Sequence, residues 1–599
     1  MEPVDTTDSA VGSYEGMVDN LVTQFSSALD CFRELVQNSI DAGTHRIEVW
    51  MEYLPGEGHE GTIAIHVDDF GEGMDEAIID NELTQLFAST KDDDLTKIGK
   101  FGIGFVSVFA LQPRAVLIHT GRAGEYWEVL FHEDRSFSKT RVDNPVEGTQ
   151  ITIFLQGEYH RYQELTEQIP ATLRHWCSHS TVEVTFEDRS NNDDFAPPEV
   201  INEDFEVDGE CLQFVEHEGT EIALAYNEQP IYGFYNRGLT LALTDVGDDV
   251  LSRWRERFEF ISFKIKSRYL EHTLARDSVI QDDQYERAMK LLQTAADGVL
   301  LDALVKELEK LASAESWEVA EYHRYGRLMS FLAREPLEAV LEHRERPILR
   351  CLNSGPMSIT GAWQRLRDDG RLLLDHEATS LTKSLGSQGV PVLVGAASQQ
   401  AYGVDGMRAV GSLLLNAFGY KAATTVKGMF WRAAGTLGNL VRRRENVPTQ
   451  QRLRRALVAP GSVYYPITVD DEVDEALAPL LKDTTKLLNR ADTGIARVTT
   501  GEVSGGVIAE APFFVVAEEI APLMARPPQG FLASGRRMEA VVNRNHPQFR
   551  VIADIYERDP GMAAYMLARG LSLSKDFMLD ADQELLEASL PEIRDQFSR

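Results

Sequence analysis

The sequence IGKFGIGFVSVF, from Ile98 to Phe109, places three glycines directly before an apolar stretch that is typical of a buried helix. The first N–H groups of a helix have no partner within the helix and lie at the positive end of its dipole. Glycine has no side chain, so an anion can approach these groups closely. We therefore expect Gly99, Gly102 and Gly104 to bind an anion such as phosphate.

The length and composition predict a multidomain protein without a membrane partner. A chain of 599 residues is too long for one hydrophobic core and should divide into three or four domains. No apolar run reaches the roughly 18 residues of a membrane-spanning helix, and the N-terminus lacks the basic and apolar regions of a signal peptide. The four cysteines form no CxxC pair, so we expect neither a zinc site nor a disulfide framework. These features indicate a cytoplasmic protein.

The formal net charge of −36 argues against a broad nucleic-acid surface, because such surfaces neutralise phosphates with Lys and Arg. A local basic stretch, NLVRRRENVPTQQRLRRAL at Asn439–Leu457, could bind DNA or could be a solvated helix face, which is the commoner case. It follows the aromatic segment KGMFWRAAG at Lys427–Gly435. There Phe430 and Trp431 could contact unfolded proteins or belong to a core.

The periodicity of apolar residues predicts a helix and then a sheet. A helix is expected from about Met17 to Asp41, where apolar residues recur at helical spacing. Short segments of alternating apolar and polar residues follow, which is typical of half-buried strands in a mostly antiparallel sheet. The predicted strands are His45–Tyr53, Thr62–Asp69, Arg114–Gly121, Tyr126–His132, Thr149–Gln156 and Thr181–Glu187. Much later, Arg371–Gly395 looks like a strand, a helix and a strand in succession.

Two further segments carry polar residues in patterns that suggest a site. FRELVQNSIDAG places Glu34, Asn38 and Asp41 at positions i, i+4 and i+7, so that the three share one helix face. VDDFGEGMD ends a predicted strand with Asp69 beside two glycines. Taken alone, the first pattern also fits a solvated helix face and the second a turn supported by glycine.

In chain order, ELVQNSIDAG, DDFGEGMD, GKFGIGF and EGTQITIFL resemble the four motifs of the ATPase superfamily shared by DNA gyrase, the ninety-kilodalton heat-shock chaperones, histidine kinases and MutL. Other phosphate sites do not fit, because GxxxxGK[ST] is absent and GKFGIG is the reverse of the dinucleotide fingerprint. The first part of the chain is most similar to the bacterial type of the heat-shock chaperones, since GKFGIGFVSVF resembles their pattern GQFGVGFYSxF.

This resemblance implies a role for each motif. Asn38 would offer its carbonyl oxygen to Mg²⁺, and Glu34 would orient or deprotonate the attacking water. Asp69 would accept a hydrogen bond from the adenine amino group, and the neighbouring glycines would make room for the base. The implied contacts with ATP are Asn38, Asp41, Asp69, Gly71, Gly73, Met74, Gly99, Lys100, Gly102, Gly104, Phe105 and Thr149.

The resemblance also implies a lid over the nucleotide, formed by Asn81–Ile98. The chain departs from the family pattern here, because Ala88 stands where the chaperones carry a lid lysine. Lys91, Lys97 or Lys100 would have to approach the phosphates in its place.

A second region, Ile231–Leu243 and Phe260–Met289, resembles the middle domain of the same chaperones. By this match Arg276 would reach the γ-phosphate and stabilise charge in the transition state, as an arginine finger does. Without the resemblance, Arg276 beside Asp277 would be interpreted as part of an ordinary surface ion pair.

The predicted fold class is α+β. An ATP-binding domain at residues 1–187, with a mostly antiparallel sheet covered by helices on one face, precedes a polar linker at 188–198. An α/β middle domain is expected at 199–430 and a smaller α+β domain at 431–599. Within the last, Val541–Asp576 resembles the end of the bacterial chaperones, which implies dimerisation there.

The predicted function is that of an ATP-dependent molecular chaperone, which hydrolyses ATP to drive clamp-like closure around client proteins. The expected cofactors are ATP and Mg²⁺, and the expected partners are client proteins and a second copy of the chain. One alternative is a DNA-processing ATPase of the gyrase or MutL type, which the basic stretch favours and the net charge opposes. Another is a specialised ATPase that uses the chaperone architecture.

Overall fold

A computed structural model of the chain describes residues 27–56, 59–84, 104–190, 197–245, 249–273, 278–395, 405–424, 453, 455–470, 472–503, 513–517, 523–525, 538–575, 585–586 and 588–589. The chain forms two compact units, Met1–Leu300 and Leu301–Arg599. The aromatic segment Lys427–Gly435 and most of the basic stretch Asn439–Leu457 lie outside the described residues.

The first unit begins with a large sheet and the helices that cover it. Its strands are Arg46–Leu54 (β1), Glu60–Asp69 (β2), Ala115–Arg122 (β3), Glu125–His132 (β4), Phe137–Val142 (β5), Thr149–Glu158 (β6), Glu183–Asp188 (β7) and Glu199–Val200 (β8). Its α-helices are Cys31–Asp41 (α1), Glu76–Ile78 (α2) and Tyr159–Cys177 (α3). A π-helix at Ile79–Leu83 continues α2, and 3₁₀-helices lie at Ala28–Asp30 and Ser107–Leu111.

The strand order in this sheet is β5-β4-β3-β6-β2-β1-β7-β8, and the pairing is antiparallel except between β1 and β7. In the register of the central strands, Asp69 of β2 lies opposite Thr149 of β6, and Thr120 of β3 lies opposite the same Thr149. One end of three neighbouring strands therefore brings three polar residues side by side.

One face of the sheet packs against helices, as the alternation in the sequence predicts. Along β1, for example, Ile47, Val49 and Met51 are buried, and the residues between them are less so. α1 buries Phe32 and Val36 in the same core, together with the apolar side of α3. The predicted fold class, α+β with a mostly antiparallel sheet covered on one face, is confirmed.

All six predicted strands of this sheet are present, with ends that differ by at most about two residues from the prediction. β5 and α3 were not predicted, and neither were the short elements β8 and α2. The described part of the predicted helix Met17–Asp41 begins at Ser27, whose side chain accepts a hydrogen bond from the N–H of Leu29. The 3₁₀-helix that follows leads directly into α1.

A second, five-stranded sheet follows in the same unit. Its strands are Glu210–His217 (β9), Thr220–Tyr226 (β10), Ile231–Asn236 (β11), Leu239–Asp245 (β12) and Ile261–Ser267 (β13), in the order β12-β11-β13-β10-β9. The helical segments are Asp249–Trp254, a 3₁₀-helix, then Arg255–Phe258 (α4), Asp283–Ala295 (α5) and the π-helix Ala296–Leu300. β11 and β12 form an antiparallel hairpin, while β11 and β13 are parallel.

In its described residues, the second unit contains one sheet of three strands and one of five strands among helices. Its helices are Leu301–Ser313 (α6), Val319–Leu332 (α7), Leu337–Glu342 (α8), Ile359–Asp369 (α9), Ser380–Ser387 (α10), Asp405–Thr424 (α11), Pro460–Val463 (α12), Ala478–Arg490 (α13), Pro547–Tyr556 (α14) and Pro560–Lys575 (α15). Its strands are Leu372–Asp375 (β14), Val392–Val394 (β15), Leu457–Val458 (β16), Tyr464–Val469 (β17), Ile495–Val503 (β18), Phe513–Ala517 (β19), Leu523–Ala525 (β20) and Met538–Asn543 (β21).

The two sheets of this unit differ in their pairing. In the first, β14 pairs in parallel with both β15 and β16. In the second, of order β19-β21-β18-β17-β20, antiparallel and parallel pairs are mixed. The predicted succession of strand, helix and strand at Arg371–Gly395 is confirmed by β14, α10 and β15. Across the described parts of both units, no helix has the length and apolar character that a membrane crossing requires.

Candidate nucleotide-binding site

A cavity of about 270 Å³ lies beside α1 and is bounded by residues from β2, the segment after it, β3 and β6. The register of these strands places Asp69 and Thr149 at its wall. Seven of the residues predicted to contact ATP line it: Asn38, Asp41, Asp69, Gly73, Met74, Phe105 and Thr149. The sequence motifs around these residues are far apart in the chain, and the fold brings them together.

The carboxylate of Asp69 is buried and held by three protein donors. Its Oδ1 accepts hydrogen bonds from the N–H groups of Gly71 at 2.9 Å and Thr149 at 3.1 Å. Its Oδ2 accepts a hydrogen bond from Ser39 Oγ at 3.3 Å. Burial raises the pKa of Asp69, and these hydrogen bonds oppose part of that rise. The result is a fixed acceptor at the wall of the cavity.

The glycines near Asp69 are required by the backbone itself. Gly73 has a φ of +66°, and a Cβ at this position would overlap the carbonyl oxygen of Gly121. A Cβ at Gly71 would lie 2.7 Å from the carbonyl oxygen of Ala42. Gly148, which precedes Thr149, has a φ of +71°, and a Cβ there would overlap the backbone of Asp69. Close approach between backbone segments therefore explains these glycines without reference to a ligand.

Thr120 connects the strands that form the wall, and the sequence analysis did not predict its role. Its Oγ1 donates to the carbonyl oxygen of Gly148 at 3.1 Å and lies 3.0 Å from Thr149 Oγ1. The same atom accepts a hydrogen bond from the N–H of Met74 at 2.9 Å. Thr120 thus fixes the positions of two cavity residues, and no sequence motif marks it.

The predicted polar face of α1 meets Gly104, the last glycine of the motif. Glu34 is buried, with 6% of its surface exposed. Gly104 lies against it, since a Cβ on Gly104 would be 2.9 Å from Glu34 Oε2 and 3.8 Å from Asn38 Nδ2. Phe105 packs into the core, with its ring centroid 5.3 Å from that of Phe131. The last glycine of IGKFGIG therefore lies beside Glu34 and Asn38.

Asp41, at the end of α1, contacts a residue of the second sheet. Its Oδ2 accepts a hydrogen bond from Gln37 Nε2 at 3.1 Å. Its Oδ1 lies 2.8 Å from Arg237 Nη1, in the turn between β11 and β12. The contact between Asp41 and Arg237 was not anticipated, because nothing in the sequence relates positions so far apart.

Charged residues at the cavity and next to it form three further ion pairs that were not predicted. Arg122 and Glu72 both line the cavity, and they form an ion pair of 2.6 Å between Nη2 and Oε2. Lys139 on β5 lies 3.1 Å from Glu76 and 2.7 Å from Asp80. These two carboxylates are one helical turn apart. Lys139 therefore ties the α2 and π-helix segment, which contributes cavity residues, to the edge of the sheet.

Several predicted residues lie outside the described residues. These are Gly99, Lys100, Gly102 and Arg276, together with Ala88, Lys91 and Lys97 of the predicted lid. Their roles stay predictions. Among the parts of the chain that the structure describes, no group of three or more His, Cys, Asp or Glu side chains could hold a metal ion.

Comparison with known proteins identifies the domain that contains the cavity. Residues 25–166 match the family described as "Histidine kinase-, DNA gyrase B-, and HSP90-like ATPase". This range includes every described residue of the cavity wall named above. The first unit therefore contains an ATPase domain of this superfamily.

The individual proteins that match this chain are only distantly similar to it in sequence. Proteins named chaperone protein HtpG are 27% identical to this chain over 173 residues in Bacteroides fragilis (strain 638R), and 26% identical over 175 residues in Porphyromonas gingivalis (strain ATCC BAA-308 / W83). Each match covers 26% of this chain and 25% of the relative, so the chain spans about a quarter of the length of the curated relatives it matches. A crystal structure of the N-terminal domain of a DNA repair protein matches with a TM-score of 0.31 and 12% identity, covering 49% of this chain and 98% of that domain.

Proposed function

We propose that the chain is an ATP-dependent molecular chaperone that binds ATP with Mg²⁺ and hydrolyses it to drive conformational closure around client proteins. The observation that carries the proposal is the buried carboxylate of Asp69, fixed at the wall of a cavity that Asn38 also lines. The ATPase domain at residues 25–166 and the HtpG matches support it.

In this proposal Asp69 selects the base. When it is ionised, its carboxylate accepts hydrogen bonds and donates none. The three protein groups that donate to it hold it in place. The exocyclic amino group of adenine is a donor, whereas guanine presents a carbonyl oxygen at the corresponding position. Adenine is therefore the purine that this site should prefer.

The phosphates would lie toward the Glu34 and Asn38 end of the site. Gly104 lies beside both residues and would bring its backbone near the phosphates, together with Gly99 and Gly102. Asn38 offers the one amide oxygen that Mg²⁺ needs from the protein, since this ion usually takes its other ligands from phosphates and water. When bound, Mg²⁺ would neutralise charge on the phosphates.

Glu34 is proposed to orient the attacking water and accept its proton. Its burial beside Gly104 places a carboxylate where bulk water is largely excluded, which strengthens its electrostatic interactions. Arg276 is proposed to stabilise the charge that develops on the γ-phosphate. Dimerisation through residues 431–599 would pair two such sites.

The chaperone is distinguished from a DNA-processing ATPase by what stimulates turnover. The net charge of −36 opposes binding to DNA over a broad surface. In a phosphate-release assay at physiological salt, an unfolded client protein should increase ATP turnover by the whole chain, and duplex DNA should not. Turnover stimulated by DNA, with DNA retained at that salt concentration, would contradict the proposal and favour an enzyme of the gyrase or MutL type.

A further inference from the structure

The hairpin of β11 and β12 turns at two residues with unusual backbone angles. Arg237 and Gly238 have φ values of 48° and 86°. A two-residue turn with positive φ at both positions matches the twist of the strands that it joins. Positive φ is easy for glycine and uncommon for other residues, so the conformation of Arg237 needs support from its surroundings.

That support comes from the domain that contains the cavity. Leu239 is 1% exposed and belongs to the core beneath the first sheet. Thr240 Oγ1 donates to the carbonyl oxygen of His175, in α3, at 2.7 Å. Gly238 lies so close to His179 that a Cβ would overlap its carbonyl oxygen. None of these contacts uses the guanidinium group, so the turn is fixed independently of it.

The fixed turn places the guanidinium group at the end of α1. There Arg237 Nη1 donates to Asp41 Oδ1 at 2.8 Å. Asp41 is the last residue of α1, where the helix dipole disfavours a negative charge. It also lines the cavity, one turn after Asn38. Arg237 therefore compensates a carboxylate that would otherwise be poorly placed beside an anionic ligand.

We infer that Arg237 is a positioning residue of the nucleotide site, through which the second sheet holds the Asp41 carboxylate in its place on the cavity wall. This inference rests on the proposed function, because it concerns how the same cavity binds ATP. Without the guanidinium group, the hydrogen bond from Gln37 still holds one carboxylate oxygen of Asp41, but the other oxygen can turn toward the phosphates and repel them. By thermodynamic linkage, ATP binding in turn stabilises the docked hairpin.

The expected loss of ATP affinity depends on how exposed the ion pair is to solvent. The side chains of Arg237 and Asp41 are 52% and 27% exposed, so the pair is largely screened by water. Pairs of this kind change an equilibrium constant by about 1.4- to 5-fold. Loss of Arg237 should therefore weaken ATP binding within that range and should leave the fold intact.

A double-mutant cycle on the full chain tests the inference. Arg237→Gln should weaken ATP binding in calorimetry by about 1.4- to fivefold, without lowering the melting temperature of the nucleotide-free chain. In an Asp41→Asn background, the same change at Arg237 should have no further effect. Arg237→Lys should restore most of the affinity. Arg268→Gln, which removes an exposed arginine directly after β13 and outside the cavity, is the matched control and should bind ATP normally.

Independent, additive losses from Arg237→Gln and Asp41→Asn would overturn the inference, because they would mean that the arginine contacts ATP directly or acts elsewhere. If Arg237→Gln fails to fold, Arg237→Lys decides: a loss of affinity of about fivefold or more in this variant would also overturn the inference. If the unaltered chain does not bind ATP, the proposed function itself fails, and the inference falls with it.

Discussion

Replacing Asp69 with Asn should separate nucleotide binding from stability. Asn keeps one carbonyl oxygen, which can accept both backbone hydrogen bonds that now end on Asp69 Oδ1. Its amide nitrogen would then face Ser39 Oγ, which can give its single hydrogen to the carbonyl oxygen of Leu35 and accept a hydrogen bond from the new amide. The variant should therefore fold, and the substitution should lower its affinity for ATP.

The magnitude follows from the loss of one charged hydrogen bond. Such a bond contributes about 1.5–3 kcal/mol, so Asp69→Asn should weaken ATP binding by roughly 10- to 150-fold. Although ATP binding should weaken, the stability of the nucleotide-free chain should be unchanged or higher. Because burial raises the pKa of Asp69, its contribution to folding is fully present below the unfolded pKa and is lost as the pH rises through the folded pKa. At neutral pH, the nucleotide-free variant should melt no lower than the original chain.

Calorimetry with ATP and thermal melts without nucleotide measure both quantities. Asp68→Asn is the matched control, because Asp68 is the neighbouring residue on β2, burial also raises its pKa, and its carboxylate accepts a hydrogen bond from Trp50 Nε1 rather than lining the cavity. Asp68→Asn should bind ATP normally. Equal affinity of Asp69→Asn and the original chain, or equal losses in the two variants, would refute the assignment of Asp69.

Three other changes test separate parts of the site. Lys139→Met should weaken ATP binding in calorimetry by about two- to fivefold, because the cavity segment that it anchors loses two ion pairs, whereas Arg141→Met on the same strand should have no effect. Gly73→Ala should abolish ATP binding or unfold the first unit, because its Cβ would overlap the backbone of Gly121. Its control is Gly124→Ala, which is also at positive φ but in open space. This control should lower the free energy of unfolding by only about 1–2 kcal/mol in denaturant titrations. Arg276→Ala should slow single-turnover hydrolysis by up to about 10³-fold with unchanged ATP affinity, and an unchanged rate would make it an ordinary surface arginine.

The sheet was predictable wherever one of its faces is buried. Ile47, Val49 and Met51 alternate with less buried residues because β1 lies between a core and an open face. The edge strand β5 has half-buried and exposed residues only, so its sequence carries no such signal. α3 was missed although it is long. Pro170 within it suggests a break, and only the packing of its buried face, including Ile169 and Leu173, maintains the helix there.

The candidate site was predictable where residues act through local motifs. The places of Asp69 and Asn38 in the site could be predicted from short segments whose residue types match a known pattern. Thr120 and Arg237 do not, because their places depend on strand register and on the docking of a distant hairpin. Gly73 is a third case. The sequence motif includes it, but the structure gives the reason why glycine is needed there, which is the close approach of two backbone segments.

The reaction proposed for this site is hydrolysis of ATP with Glu34 as the general base. The most direct measurement compares Glu34→Gln with the original full-length chain for ATP affinity and for phosphate release with Mg²⁺. Gln keeps the size of the buried side chain, so affinity should stay within about twofold, while turnover should fall by about 10²- to 10⁴-fold because a general base is lost. Turnover at the original rate in Glu34→Gln, or a loss of turnover explained entirely by a loss of affinity, would contradict the account.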